Sequence, residues 1–387
     1  MNDNENQALL PAGMSDTLPP NAAFEAAALD RLMAAFATHG YSQVKPPLIE
    51  FEEGLLAGLG TATASQMFRV MDPVSQRMMG VRADMTPQVA RIAATRMKNA
   101  PRPLRLSYAG QVLRIKGSQL RPERQFSQVG AELIGVAHAA ADAEVIVMAA
   151  AALQSMGVEG LSVDIGMPTL VPALCRELNA SAEAENTLRL ALDRKDAAGV
   201  AALKGQLGDK GCEILGAMLA AAGPARKTLD LLNALDLGPE AAKERSALGE
   251  ITDMVSAAMP DLTLTIDPVE NRGFEYHTGV TFTFFSKGGR GELGRGGRYI
   301  ANSGDGREHS TGFTLFMDTV LRVLPETAPQ KRIYLPPGTP VDAAQSLRDD
   351  GWAAVTGLDT SDGVNDVAEA KRLQCSHVFL NNSVTKL

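Results

Sequence analysis

The sequence predicts an α+β protein, and three observations carry that prediction. Strand-like stretches cluster at 103–135 and 262–285, an Ala- and Leu-rich stretch of helical spacing separates them, and a strand–helix alternation closes the chain. At roughly 150 residues per domain, 387 residues leave room for two or three domains. A composition of 45% hydrophobic and 21% charged residues is that of a folded globular protein, not a disordered one.

Pro19 and Pro20 precede Asn21, which can cap a helix, and Phe24, Ala28, Leu32 and Phe36 then recur at i+4, so a helix is predicted from Asn21 to a stop at Gly40. A short strand follows at Tyr41–Val44, ended by Lys45-Pro46-Pro47 because proline cannot donate to a ladder. Pro103–Gly135 reads as an antiparallel hairpin with Gly117 and Pro122 in its charged connection. From about 139 to 259 the spacing predicts a mostly helical insertion, broken near Gly157–Gly166, Gly208–Gly211 and Gly223-Pro224. Strands resume at Leu262–Ile266 and Thr278–Phe285, the second with Val280, Phe282 and Phe284 on one face and Thr281 and Thr283 on the other.

A last helix is predicted at Gly312–Leu324, closed by Pro325, so the first domain covers 1–325 and the Pro-rich stretch Thr327–Pro340 reads as a linker. Arg332–Leu335, Ala343–Asp350, Trp352–Thr356, Val364–Leu373 and His377–Leu380 then read as strand, helix, strand, helix, strand. They make a small α/β module over 331–387, near the lower size limit for independent stability.

Several classes are excluded. The longest apolar run, Val145–Leu153, is far short of the ~20 residues that cross a bilayer. Met1–Gln7 carries Asp3 and Glu5 and no basic residue, so no secretion signal is read and a cytoplasmic location is expected. Cys175, Cys212 and Cys375 are odd in number and far apart, which fits buried thiols rather than a disulfide framework or a CxxC site. A net charge of −8 gives no global attraction to nucleic acid. Gly289, Gly291 and Gly294 form a GxGxxG after a strand, but Arg295-Gly296-Gly297-Arg298 cannot open the helix that a dinucleotide site needs. No HExxH, paired CxxC, Walker loop or GxSxG occurs, so no metal or cofactor is expected.

Three groups of residues could carry chemistry. In Gln125–Glu132 the period of two puts Val129, Ala131 and Leu133 on one face and Gln128, Gly130 and Glu132 on the other, with the glycine leaving room for a ligand. The same pattern also describes an exposed polar sheet face. His277 shares a face with Thr281 and Thr283 just after Arg272; it is either part of a site for a small zwitterion or a satisfied core histidine. Arg114, Lys116, Arg121 and Arg124 crowd one loop, which suits an anion and equally a solvated loop.

At these residues the chain resembles the histidyl-tRNA synthetase family. The matching stretches are PAGMSDTLPP at 11–20, YSQVKPPLIE at 41–50, VRADMT at 81–86, LRLSYAGQVLRIKGSQLRPERQFSQVGAELIG at 104–135, NRGFEYHTG at 271–279 and GRGGRYI at 294–300. The resemblance implies a class II aminoacyl-tRNA synthetase-like antiparallel sheet flanked by helices, with 331–387 as a truncated anticodon-binding domain. It also implies a histidine site at Asp84, Thr86, Arg114, Gln128, Glu132, Arg272, Tyr276, His277 and Tyr299. Asp84 stands where the family has Glu, and His277 where it has Tyr.

The ligase machinery matches poorly. Arg114 is kept, but Lys116 stands where the family has an acid, and Phe316 and Thr319 stand where it has a Gly and an Arg that braces the nucleotide. Losing that guanidinium leaves polyphosphate charge uncompensated. The 331–387 module carries six Lys/Arg (331, 332, 348, 371, 372, 386) against seven Asp/Glu (342, 349, 350, 359, 362, 366, 369), a poor surface for RNA backbone. A pocket kept and an engine lost resembles the family of ATP phosphoribosyltransferase regulatory subunits. That resemblance implies no catalysis by this chain alone, a homodimer through 41–50, a hetero-oligomer with the short-form catalytic subunit, and L-histidine as effector. A divergent histidyl-tRNA synthetase and a synthetase-like amidotransferase or tRNA-binding regulator are the alternatives.

Overall fold

Helix α1 spans Asn21–Thr38 in the computed structural model, and its i+4 positions Ala28, Leu32 and Phe36 are buried as the spacing predicts. Asn21 is not the cap: Pro20 already has helical torsions and holds that position, so Asn21 falls inside the helix. The structure describes residues 9–56, 66–117, 121–270, 276–303, 306–325, 330–359 and 365–387, in two units divided at Pro325 and Glu326.

After α1 come β1 (Ser42–Gln43), β2 (Ile49–Phe51), α2 (Glu52–Leu56), β3 (Phe68–Met71), β4 (Met78–Val81), α3 (Thr86–Thr95), β5 (Leu104–Leu113), β6 (Gln125–Ile134) and α4 (Ala139–Ser155). Next are β7 (Leu161–Gly166), α5 (Leu170–Glu177), α6 (Ala182–Asp193), α7 (Ala197–Ala202), α8 (Lys204–Ala220), β8 (Gly223–Pro224), α9 (Ala225–Asn233) and α10 (Pro239–Ala258). The first unit closes with β9 (Thr263–Asp267), β10 (His277–Ser286), β11 (Gly294–Ser303), β12 (Gly306–Phe316) and α11 (Met317–Val320).

Nine strands form one mixed sheet in the order β1-β5-β6-β12-β11-β10-β7-β9-β8. The predicted hairpin is β5–β6, paired antiparallel from Leu104↔Ile134 to Leu113↔Gln125. The stretch 139–259 is less uniform than its spacing predicts. Within it, β7 enters the main sheet between β10 and β9, so only the segment after Gly166 stands apart as a helical excursion, itself interrupted by the two-residue β8. Leu161–Gly166 is short and flanked by Ala-rich helices, which hides its alternation. The predicted helix at Gly312–Leu324 is also corrected. Gly312–Phe316 completes β12, and the helix is only α11, because pairing with both β6 and β11 outweighs the local spacing. Gly289, Gly291 and Gly294 lie in the connection from β10 into β11, where Gly291 has φ 85°, and a strand rather than a helix follows.

The two faces of the sheet are covered unequally. Val129, Ala131 and Leu133 pack with α1, α4 and the helical segment in a large core that includes Val280, Phe282 and Phe284. The other face carries a smaller core, in which Met85, Val89 and Ala93 lie against Leu104, Leu106, Tyr108, Phe126, Ile134 and Phe316. Burying each large aliphatic side chain of these cores is worth roughly 1.5–3 kcal/mol.

The second unit has β13 (Arg332–Leu335), α12 (Val341–Asp349), β14 (Ala353–Thr356), α13 (Asp366–Arg372), β15 (His377–Leu380) and β16 (Ser383–Lys386). Its sheet order is β14-β13-β15-β16. The hairpin strand β16 is absent from the sequence reading, because its four residues are all exposed and show no apolar face. The Pro-rich stretch at 327–340 is not linker throughout, since β13 lies inside it. Among the described residues no helix is long and apolar enough to cross a membrane. Cys175 and Cys375 are buried and Cys212 is partly exposed, donating to the carbonyl of Val200; all three are free thiols. Burial pushes the Cys175 thiol up to about 11, which keeps it unreactive.

Candidate functional site

The polar face of β6 is buried, not exposed: Gln128 is 0% and Glu132 1% accessible. Tyr299 on β11 donates to Glu132 Oε2 at 3.0 Å, and Tyr108 on β5 lies 3.5 Å from Oε1. Burial pushes the Glu132 carboxyl up to about 8, against hydrogen bonds from Thr86, Tyr299 and Tyr108 that pull it down, and the nearby Asp84 raises it further. No ion pair holds it among the described residues. A buried carboxyl without a cation is an open demand for a ligand that brings a cation or N–H donors.

Gln128 makes a complementary demand. Its Oε1 accepts the Met85 N–H at 3.0 Å, which orients the amide and leaves the buried Nε2 without a partner among the described residues. Met85 immediately precedes α3. Asp84 accepts the Thr86 N–H at 2.9 Å, and the Thr86 hydroxyl lies 3.1 Å from that of Tyr108. Asp84 and Thr86 thus meet Glu132 and Gln128 through Tyr108 and the start of α3.

From the other side, Tyr276 stacks on Tyr299 with ring centroids 5.0 Å apart and meets His277 edge-on at 5.1 Å. The Nδ1 of His277 lies 3.2 Å from the carbonyl oxygen of Arg298. Burial pushes the His277 imidazole down to about 4, so it is neutral at physiological pH. Arg272 lies outside the described residues.

The basic loop resolves into distinct roles. Arg121 makes a two-pronged bond to Asp318, 3.0 Å for each prong, and its guanidinium lies 3.8 Å from the Phe316 ring centroid. Arg124 donates to the carbonyls of Arg114 and Ala12. Arg114 lies over Phe126 at 4.9 Å, its pKa lowered by burial and raised by Asp84, and no carboxylate pairs with it among the described residues. Lys116 is exposed, so Arg114 is the half-buried cation of the loop placed for an anionic ligand group. Thr319 is buried, and its hydroxyl is shared between the carbonyls of Glu292 and Phe316 at 2.8 and 3.0 Å, so it ties its own turn to the connection between β10 and β11.

Sequence reasoning missed Tyr108, Thr314 and two glycines. Tyr108 donates or accepts with Thr314 Oγ1 at 2.8 Å, and its ring takes the space that Gly130 leaves open. The glycine therefore makes room for a tyrosine rather than for a ligand. Gly312 sits opposite Glu132, and a Cβ there would collide with the Glu132 carboxyl. Gly297 pairs with Gly312, and a Cβ there would lie 2.8 Å from His277 Nδ1. Both are strand glycines, where a missing side chain signals a close approach. Gly312→Ala is expected to displace the Glu132 carboxyl and to cost about 1–3 kcal/mol by overpacking, read as a lower urea midpoint. Among the described residues no group of three or more His, Cys, Asp or Glu could hold a metal ion.

The histidyl-tRNA synthetase family model matches residues 13–320. The chain is 57% identical over 377 residues to the ATP phosphoribosyltransferase regulatory subunit of Paramagnetospirillum magneticum, covering 97% of each chain. It is 55% identical to the protein of that name from Rhodospirillum centenum, covering 99% of this chain and 97% of the relative. Among solved structures, it is similar to an ATP phosphoribosyltransferase regulatory subunit/histidyl-tRNA synthetase from Bacillus halodurans, with a TM-score of 0.81, 25% identity and coverage of 94% and 96%. A histidyl-tRNA synthetase from a Nostoc species shares the fold at a TM-score of 0.79 and 18% identity, covering 96% of this chain and 91% of that one. At 55–57% identity over nearly its whole length, the chain belongs to the family of ATP phosphoribosyltransferase regulatory subunits, built on the class II histidyl-tRNA synthetase fold.

Proposed function

We propose that this chain is a non-catalytic subunit that activates a short-form ATP phosphoribosyltransferase catalytic subunit and confers feedback inhibition by L-histidine on it. The observation that carries the reading is the buried polar face of β6, where, among the described residues, Gln128 Nε2 has no hydrogen-bond partner and the Glu132 carboxyl is held by hydroxyls and by no cation. Free histidine supplies what they lack. Asp84 and Thr86 suit its ammonium, Arg114 and Arg272 its carboxylate, and Glu132, Tyr299 and His277 its ring, with Tyr276 stacked beside them.

The nucleotide side supports a regulator rather than a ligase. Phe316 and Thr319 are committed to packing and to local carbonyls, and no guanidinium stands at 319 to brace a triphosphate. A homodimer formed through 41–50 and assembled with catalytic chains in the cytoplasm completes the reading. Histidine inhibits only by binding one state of that assembly better than another, and a coupling of about 1–3 kcal/mol suffices.

The test is phosphoribosyl-ATP formation by the short catalytic subunit with and without this chain, with histidine titrated in the second case. A raised rate that histidine then suppresses is the expected result. Histidine-dependent pyrophosphate exchange by this chain alone would instead identify a ligase.

A further inference from the structure

We infer that Gln88 is a positioning residue for feedback, coupling the buried polar face of β6 to segment 46–51. The inference rests on the proposed function above, which puts histidine at that face and the homodimer at 41–50, and adds the connection between the two.

The connection starts at the head of α3. Met85, which precedes the helix, donates its N–H to Gln128 Oε1, and the Thr86 hydroxyl lies 3.1 Å from that of Tyr108, so the first turn is fixed to the polar face. Gln88 follows Met85 by three residues and is fully buried. Its Nε2 donates to the Pro47 carbonyl and to Glu50 Oε1, each at 2.8 Å, which uses both amide hydrogens. Arg91, on the same side of the helix, donates to the same Glu50 oxygen at 2.5 Å. Among the described residues, these side chains make the polar contacts of α3 with 46–51.

The sequence explains why side chains are needed there. Pro46 and Pro47 have no N–H and cannot join a strand ladder, so the stretch is held through its carbonyls. Buried Arg82 donates to Pro46 O at 3.0 Å and to Gln111 O on β5 at 2.7 Å, which anchors the stretch to the main sheet. Gln88 anchors it to α3. In β2 the period of two then separates the partners: Glu50 is partly buried and bonded to α3, while Ile49 and Phe51 are exposed.

A helix moves as a rod, and Gln88 stands about 4.5 Å along the axis from Met85. A ligand that engages Gln128, Asp84 and Thr86 changes the seating of the first turn, and the Gln88 amide passes that change to Pro47 and Glu50. The backbone of β2 delivers it to the exposed Ile49 and Phe51. Gln88 itself lies outside the proposed histidine contacts, so removing its amide should separate binding from response.

The experiment is calorimetric titration of histidine into the full-length chain, alone and assembled with the short catalytic subunit, together with phosphoribosyl-ATP formation at saturating histidine. Wild type, Gln88→Met and Arg91→Met are compared. The two wild-type affinities are expected to differ by at least ~5-fold. In Gln88→Met the affinity of the chain alone should stay within about threefold of wild type, the difference should shrink below ~2-fold, and activity at saturating histidine should rise several-fold. Arg91→Met removes a part-exposed partner of Glu50, so it should lose part of the difference at little cost to the fold and decides the matter if Gln88→Met melts early. A merely structural Gln88 would lower the melting temperature and shift both affinities together. That result, equal affinities in the wild type, or the wild-type difference kept in both variants overturns the role of Gln88 and leaves histidine binding intact. Absence of histidine binding by the wild type, alone and assembled, overturns both readings.

Discussion

Replacing Glu132 by Ala is expected to weaken histidine binding by at least ~100-fold and to abolish feedback inhibition while this chain still activates the catalytic subunit. The substitution removes the carboxyl proposed to hold the ring and leaves the hydroxyls of Tyr299, Tyr108 and Thr86 without their shared acceptor. Glu132→Gln is expected to behave differently. Its amide can accept from Tyr299 and donate to a ring nitrogen, so binding near neutral pH should stay within about tenfold.

The two carboxyl states separate these variants by pH. With Glu132 at about 8 and free histidine at its ordinary ring value of about 6.5, the complex holds one proton between carboxyl and ring. Below about 6.5 both partners are protonated and binding releases a proton; above about 8 neither is, and binding takes one up. Affinity should therefore be greatest between these values and fall on both sides. In Glu132→Gln the fall near 8 should vanish and the acid-side fall remain. Persistence of the fall near 8 in the Gln variant would assign it to another group.

The same carboxyl governs stability without ligand. Its folded value is raised above the ordinary 4.5, so below 4.5 it is protonated in both states and carries no penalty. As pH rises from about 4.5 to 8 the unfolded chain ionises first and folding stability drops; above 8 the loss is constant. Urea midpoints of Glu132→Gln should lack this component, so the variant gains most over wild type at alkaline pH.

Asp142→Ala is expected to be the more damaging change to the fold, at about 3–5 kcal/mol. Asp142 on α4 accepts from Arg298 on β11 at 2.6 and 3.1 Å, and both residues are buried. The remaining partners of Arg298 are the carbonyls of Val136 and His138, which cannot neutralise it. The double variant Asp142→Leu with Arg298→Met should recover much of the loss, because a buried pair removed whole leaves no stranded charge. A double variant as unstable as Asp142→Ala in urea unfolding would count against this account.

Much of the fold was legible because the decisive patterns are local. The β5–β6 hairpin, the i+4 helix at 21–38 and the alternation through Val280, Phe282 and Phe284 can each be read from a window of about ten residues. β7 and the end of β12 were not legible, since Leu161–Gly166 is brief and Gly312–Phe316 runs into apolar residues of helical spacing. The state of each is set with the help of a strand more than a hundred residues away, β10 for β7 and β6 for the end of β12. The site divided in the same way. Strand parity put Gln128 and Glu132 together, and the family resemblance supplied most of the others. Tyr108 was invisible because only the register Tyr108↔Gly130 brings its ring to that face.

The packing around Phe316 has a consequence for substitution. Its ring is buried under the Arg121 guanidinium and against Phe126, Arg121 is tied to Asp318, and the Thr319 hydroxyl is shared between the carbonyl of Phe316 in its own turn and that of Glu292 in the connection from β10 to β11. A glycine at 316 would empty that space, and an arginine at 319 would remove the hydroxyl from both carbonyls and force a longer, charged side chain into the buried place of Thr319. Either change alone therefore gives a less stable chain. The local packing thus resists both a glycine at 316 and an arginine at 319.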